Sequence, residues 1–158
     1  MSATVHRIGL ISDTHGLVRP GVHGALRGVE VILHAGDVGG DDALDELALI
    51  APVHAVFGNT DAPGDPRLVE RIVHEVDGVR ILVTHGHELG SPNPARLLAT
   101  YPDDVIVYGH THRALVTRAD GRLVVNPGAA GPRRFDLLPS VAVLTVAGGV
   151  ADVEIVSL

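Results

Sequence analysis

Apolar residues in this chain come in short unbroken runs, each stopped by a glycine-containing polar loop. Arg7–Ser12 (RIGLIS), Glu30–His34 (EVILH), Val53–Phe57 (VHAVF), Val79–Val83 (VRILV) and Val105–Tyr108 (VIVY) are too short for helices and rich in β-branched side chains. They predict strands, the last of them buried on both faces. Between the early runs the pattern turns helical, around Pro20–Arg27 with proline near the first turn and over Asp41–Ile50 with acidic residues leading. Pro94–Thr100 is a third predicted helix. Val69–Glu75 and Val79–Val83 predict a hairpin turning at Asp77-Gly78. Ala114–Arg118, Leu123–Val125, Val141–Val146 and Val150–Val156 predict further short strands, joined by Asp120-Gly121, Gly148-Gly149 and the loop Asn126–Leu138. The second half is therefore mostly β.

The chemistry sits where the runs stop. Five predicted strands end in loops that carry Asp13 and His15, Asp37, Asn59, His85, and His110 with His112. In open α/β sheets ligands bind outside the carboxyl ends of the strands, so five such endings can converge on one cleft. Taken as an extended segment, Gly109–His112 sends alternate side chains to the same side, which turns both imidazoles toward that cleft. Imidazole nitrogens mixed with carboxylate and amide oxygens suit manganese, iron, zinc, cobalt or nickel better than magnesium or calcium.

Composition narrows the picture. With 158 residues, 46% of them hydrophobic, the chain is long enough for one core and is expected to form a single domain over residues 1–158. There is no cysteine, so thiolate metal sites and disulfides are excluded. A net charge of −7 lacks the basic footprint of a nucleic-acid binder, and no extended nucleic-acid partner is expected. The N-terminus runs straight into a strand, and nowhere are there about 18 consecutive apolar residues, so a cytoplasmic protein without a membrane partner is expected.

The ordered set SDTHG, HAGDV, GNTD, THGH, GHTH and NPG resembles the calcineurin-like metallophosphoesterase superfamily, and with the small size its compact prokaryotic phosphodiesterase branch. The match runs from Ile8 to about Gly128. The resemblance implies an α/β fold, a four-layer sandwich of two mixed β-sheets flanked by helices, with two divalent transition metal ions per chain, manganese first among them. Asp13, His15 and His112 resemble ligands of the first metal, Asn59, His85 and His110 of the second, and Asp37 the carboxylate that bridges both. Two divalent ions bring four positive charges against two aspartates, so the site stays positive and attracts a small phosphate ester inside an acidic protein. The expected reaction is phosphodiester hydrolysis by a metal-bridging hydroxide, with Asp37, Asn59 and His110 in the catalytic centre. A phosphomonoesterase or protein phosphatase on the same site is the alternative, followed by an interaction scaffold like the retromer subunit that shares this fold. Family resemblance also suggests a homodimer or higher homo-oligomer.

One position departs from the wider superfamily. Many members have histidine after the asparagine, where it protonates the leaving group; here it is Thr60, a poor acid. Substrates with good leaving groups, or protonation by water or Asp61, are therefore expected. Thr60, His87 and Arg133 are the candidate substrate contacts, Arg133 because guanidinium suits bidentate phosphate binding; no role is assigned to Arg134. His34 is a candidate partner for orienting the bridging aspartate. His6, His23, His54 and His74 lack motif context and are read as surface or structural.

Overall fold

A computed structural model describes residues 4–134 and 136–158. Among the described residues eleven strands form two sheets. The first six elements of the chain are β1 (His6–Ile11), α1 (Pro20–Ala25), β2 (Val31–His34), α2 (Asp41–Ala48), β3 (Val53–Val56) and β4 (Leu68–Val69). They are followed by β5 (Ile72–Val76), β6 (Val79–Val83), α3 (Pro94–Thr100), β7 (Val105–Val107), β8 (Leu115–Ala119), β9 (Arg122–Asn126), β10 (Ser140–Ala147) and β11 (Val150–Ser157). Among the described residues no helix is long and apolar enough to cross a membrane.

One sheet has the order β11-β10-β1-β2-β3-β4 and the other β5-β6-β7-β9-β8. β1, β2, β3 and β4 run parallel, as do β6, β7 and β9, while β5, β8, β10 and β11 pair antiparallel. Strand alternation explains the unbroken apolar runs. Ile8 and Leu10 of β1 face the other sheet and meet Ile81, Val83, Val105 and Val107 in the inter-sheet core. Their neighbour Ile11 faces outward, with Ile32, onto Val22 and Leu26 beside α1 and Leu44 and Leu47 of α2. Leu82 and Ile106 face outward from the second sheet onto Leu97 of α3. Four layers result, helices, sheet, sheet and helix, as the resemblance implied.

The predicted hairpin turns occur where expected. Asp77-Gly78 and Asp120-Gly121 have positive φ at both positions, as do Gly148 and Gly149, which matches the twist of the strands they join. Helix α3 has the predicted bounds, with Asn93 accepting from the Arg96 N–H at 2.9 Å as its cap. The segment Val69–Glu75 differs from expectation. Leu68 and Val69 pair with Ala55 and Val56 in one sheet, whereas Ile72–Val76 pairs with β6 in the other. Glu70 and Arg71 are both exposed, and this polar break lets the chain step from one sheet to the next.

Candidate metal centre

Parallel β1, β2, β3, β6 and β7 all end on the same side of the sandwich, and their following loops carry the seven candidate ligands. Among the described residues seven non-glycine residues have positive φ; two lie in hairpin turns and the other five are Asp13, His15, Asp37, His110 and His112. Left-handed backbone costs roughly 1 kcal/mol or more per residue, so this strain is concentrated at the site. The extended reading of Gly109–His112 is corrected by this. The strand stops at Val107, and a tight turn in which the Thr111 N–H donates to the Gly109 carbonyl at 2.8 Å separates the two histidines.

The turn sends the two imidazoles to different neighbours. The His112 ring lies 5.4 Å from that of His15, and its Nε2 is 3.3 Å from Asp13 Oδ1. The His110 ring lies 5.2 Å from that of His85, and its Nδ1 is 3.2 Å from Asn59 Oδ1. His85 Nδ1 donates to the Ala35 carbonyl at 2.8 Å, which fixes the tautomer and leaves Nε2 free to face Asn59 Oδ1 at 3.0 Å. Asp37 Oδ2 stands 3.3 Å from His85 Nε2 and 3.9 Å from His15 Nε2, between the two groups.

The donor set fits divalent cations. Candidate ligand atoms of Asp13, His15 and His112 lie within 4.8 Å of one another, as do those of Asp13, Asp37 and His85. Asp13 Oδ1 and His15 Nε2 are buried, have no hydrogen-bond partner and lie 3.9 Å apart. Lone pairs held this close repel unless a proton or a cation lies among them. Burial disfavours charge on Asp37, but a proton on His85 Nε2 in place of a cation, together with the Thr60 N–H, holds it well below the usual carboxylate range. Burial also opposes protonation of His85, yet Asp37 and Asp13 raise its proton affinity. His110 is pushed down by burial and by neighbouring His85.

Several residues hold this arrangement. The Ser12 hydroxyl donates to Asp13 Oδ2 at 2.6 Å, and the His110 N–H reaches the same oxygen at 3.2 Å. Gly109 is required beside them, because a Cβ there would collide with Ser12 Oγ and crowd Asp13 Oδ2. Asn126 of the NPG segment donates to the Gly109 carbonyl at 3.2 Å and to Thr111 Oγ1 at 3.0 Å. Glu88 accepts from the Thr84 hydroxyl at 2.7 Å, the Gly86 N–H at 3.1 Å and the Tyr101 hydroxyl at 2.6 Å, gripping both neighbours of His85. The functional reading of the motifs missed Ser12, Asn126 and Glu88; Ser12 and Asn126 stand inside quoted motifs, whereas Glu88 has no comparable signal.

Other candidates take different places. Both Asp61 oxygens are engaged by backbone N–H groups of Val38, Gly39 and Gly58, which ties the Asp37 loop to the Asn59 loop. Thr60 donates its N–H to Asp37 Oδ1 at 2.9 Å. His34 does not touch the Asp37 carboxylate; it accepts from the Gly36 N–H at 3.1 Å and meets Thr14 Oγ1 at 3.0 Å, joining the first two loops. His87 packs between His85 and Phe57 at ring distances of 5.3 and 6.3 Å. Arg113, Arg133 and Arg134 are all exposed, and Arg134 and Arg113 line a pocket beside His110 and His112. His6 and His23 pair at the surface with Glu30 and Glu46.

Residues 7–149 match the Calcineurin-like phosphoesterase superfamily domain. The chain is 36% identical over 158 residues to a probable metallophosphoesterase of Methanothermobacter thermautotrophicus, covering 94% of this chain and 91% of the relative. It is 29% identical over 140 residues to a phosphodiesterase of Methanocaldococcus jannaschii, covering 77% and 82% of the two chains. In three dimensions it superposes on Vacuolar Protein Sorting 29 of Cryptosporidium parvum with a TM-score of 0.81 at 21% identity, over 100% and 99% of the chains, a likeness of fold alone. The chain belongs to the calcineurin-like phosphoesterase superfamily, a metal-dependent class of phosphoester hydrolases.

Proposed function

We propose that this chain is a dinuclear metal-dependent phosphodiesterase of small phosphate esters. Asp13, His15 and His112 hold one cation, Asn59, His85 and His110 the second, and Asp37 is shared by both. The observation that carries this reading is the position of Asp37 Oδ2, within 3.3 Å of His85 Nε2 and 3.9 Å of His15 Nε2. Manganese is the first candidate, with nickel, iron, zinc and cobalt compatible with the same donors. Bound there, two divalent cations supply Lewis acidity, activating water and offsetting charge on the phosphoryl oxygens.

The chain's own residues do the rest. Asp13 and Asp37 supply two negative charges against four, so the cleft retains attraction for phosphate. The Ala35 carbonyl orients His85, and Ser12 and the His110 N–H occupy Asp13 Oδ2 so that Oδ1 faces the cluster. Asp61 serves as a staple between loops rather than as an acid, since both oxygens already accept backbone N–H groups. With Thr60 after the asparagine, leaving-group protonation falls to water, which favours esters of acidic alcohols or phenols. His87, beside His85, and Thr60 are within the same loops and are candidate substrate contacts. The relative named a phosphodiesterase supports a diester over a monoester.

The test is hydrolysis of bis-p-nitrophenyl phosphate and p-nitrophenyl phosphate after chelation and after adding back Mn²⁺, Ni²⁺ or Zn²⁺. Diester turnover that returns with metal supports the reading. Monoester dominance would shift it to a phosphomonoesterase, and silence with every metal would favour the interaction scaffold suggested by the structural likeness to Vacuolar Protein Sorting 29.

A further inference from the structure

Two concavities meet at His112. The smaller, of about 190 Å³, is lined by His110, His112, Arg113 and Arg134, so two guanidinium groups stand at its rim beside the candidate ligands. The larger is a groove of about 640 Å³, within the size range of sites for small organic ligands. The two share Thr111, His112, Arg113 and Leu137, and so form one continuous surface.

The groove differs in character from its mouth. Its walls are Pro92, Pro94, Tyr108, Leu115, Leu138 and Ile155, drawn from the segment entering α3, the end of β7, the edge strand β8, the loop before β10 and strand β11. Leu138 and Leu115 are 61% and 37% exposed, so both offer apolar surface to an occupant. Asp136 also lines the groove, and its charge opposes a second phosphate or any anionic group there. Pro92 and Tyr108 are buried beneath this surface, so the apolar area offered to an occupant comes from Pro94, Leu115, Leu138 and Ile155 and suits an uncharged apolar group.

Building on the phosphodiesterase reading, we propose that a substrate lies across both concavities, its phosphate gripped by Arg113 and Arg134 above His110 and His112, and one uncharged apolar ester arm seated in the groove. The substrate class is thus a diester with one uncharged, apolar arm. Arg134, rather than its neighbour Arg133, is the phosphate contact.

Calorimetric titration of the full chain, supplied with Mn²⁺, tests this with phosphonates that cannot turn over. Phenylphosphonate is expected to bind about tenfold more tightly than methylphosphonate, the scale of discrimination an apolar pocket supplies. Leu138→Glu, at an exposed position, is expected to erase that advantage while methylphosphonate affinity stays within about twofold. Arg134→Ala is expected to weaken both by about tenfold, and Arg133→Ala neither. Equal wild-type affinities, or a phenyl advantage that survives Leu138→Glu, would overturn the groove. Absence of phosphonate binding in a chain that still hydrolyses bis-p-nitrophenyl phosphate sinks this proposal alone, whereas absence of both binding and hydrolysis sinks the phosphodiesterase reading with it.

Discussion

Asp13 Oδ1 stands 3.3 Å from His112 Nε2, so the end of the first strand of one sheet is joined to the loop beyond a central strand of the other. The side chain of Asp13 is fully buried, Ser12 and the His110 N–H occupy its other oxygen, and Oδ1 itself has no hydrogen-bond partner. A buried carboxylate oxygen left open toward imidazoles is the arrangement of a ligand rather than of a structural acid.

Because His112 neighbours Asp13 and His15 while His110 neighbours Asn59 and His85, the two single alanine variants are expected to lose different cations. Titration with Mn²⁺ followed by metal analysis reads this directly: each variant retains one tight ion, and competition between the two variants' spectra with Co²⁺ distinguishes the sites. Loss of one and the same site in both would refute the split.

Glu88 touches no candidate ligand, yet it holds the residues on either side of His85. Glu88→Ala is expected to lower cation affinity by about tenfold at the His85 site, the usual effect of removing a supporting hydrogen bond, and to leave the Asp13 site unchanged. Equal weakening at both sites would show a general loss of structure instead.

Gly109 packs its Cα hydrogen against Ser12 and Asp13. Gly109→Ala must push these groups apart, at about 1–3 kcal/mol for an overpacked site. Thermal denaturation should report that loss, together with weaker binding at the Asp13 site; a variant as stable and as metal-competent as the parent would contradict the contact.

His34 carries a pH signature. Its burial pushes its pKa down to about 4, from 6.5, against the raising influence of Asp13, Asp61 and Asp37. Between these values the unfolded chain binds the extra proton and the folded one does not, so this residue makes stability rise with pH from about 4 to 6.5, by roughly 3 kcal/mol in all. Denaturation of chelated protein across that window should show the slope, and His34→Gln should flatten it; an unchanged slope in the variant would assign it to other groups.

Thr60→His restores the residue that many superfamily members have there. If Thr60 is the reason for a leaving-group preference, the variant should gain most on esters of poor leaving groups, by about tenfold or more, and little on p-nitrophenyl esters. Uniform changes across leaving groups would remove that explanation.

Much of this protein is readable along its sequence. Unbroken apolar runs mark strands covered on both faces, paired Asp-Gly and Gly-Gly residues mark hairpins because only they enter left-handed backbone cheaply, and the ordered motifs collect the seven candidate ligands. What tertiary structure alone decides is how distant loops meet. Local pattern runs Val69 into the following strand, but pairing partners in opposite sheets split that segment. Asp61 reads as an acid near the site until three backbone N–H groups from two loops engage it. That Arg134 and not Arg133 lines the pocket beside His110 and His112, and that Glu88 grips His85's neighbours, likewise depend on the directions in which side chains leave the chain. The turn at His110 and His112 joins the two levels: the family resemblance assigns the rings to different ions, and the left-handed backbone, held open by Gly109 and tied to Asn126, supplies the geometry that turns them toward separate partners.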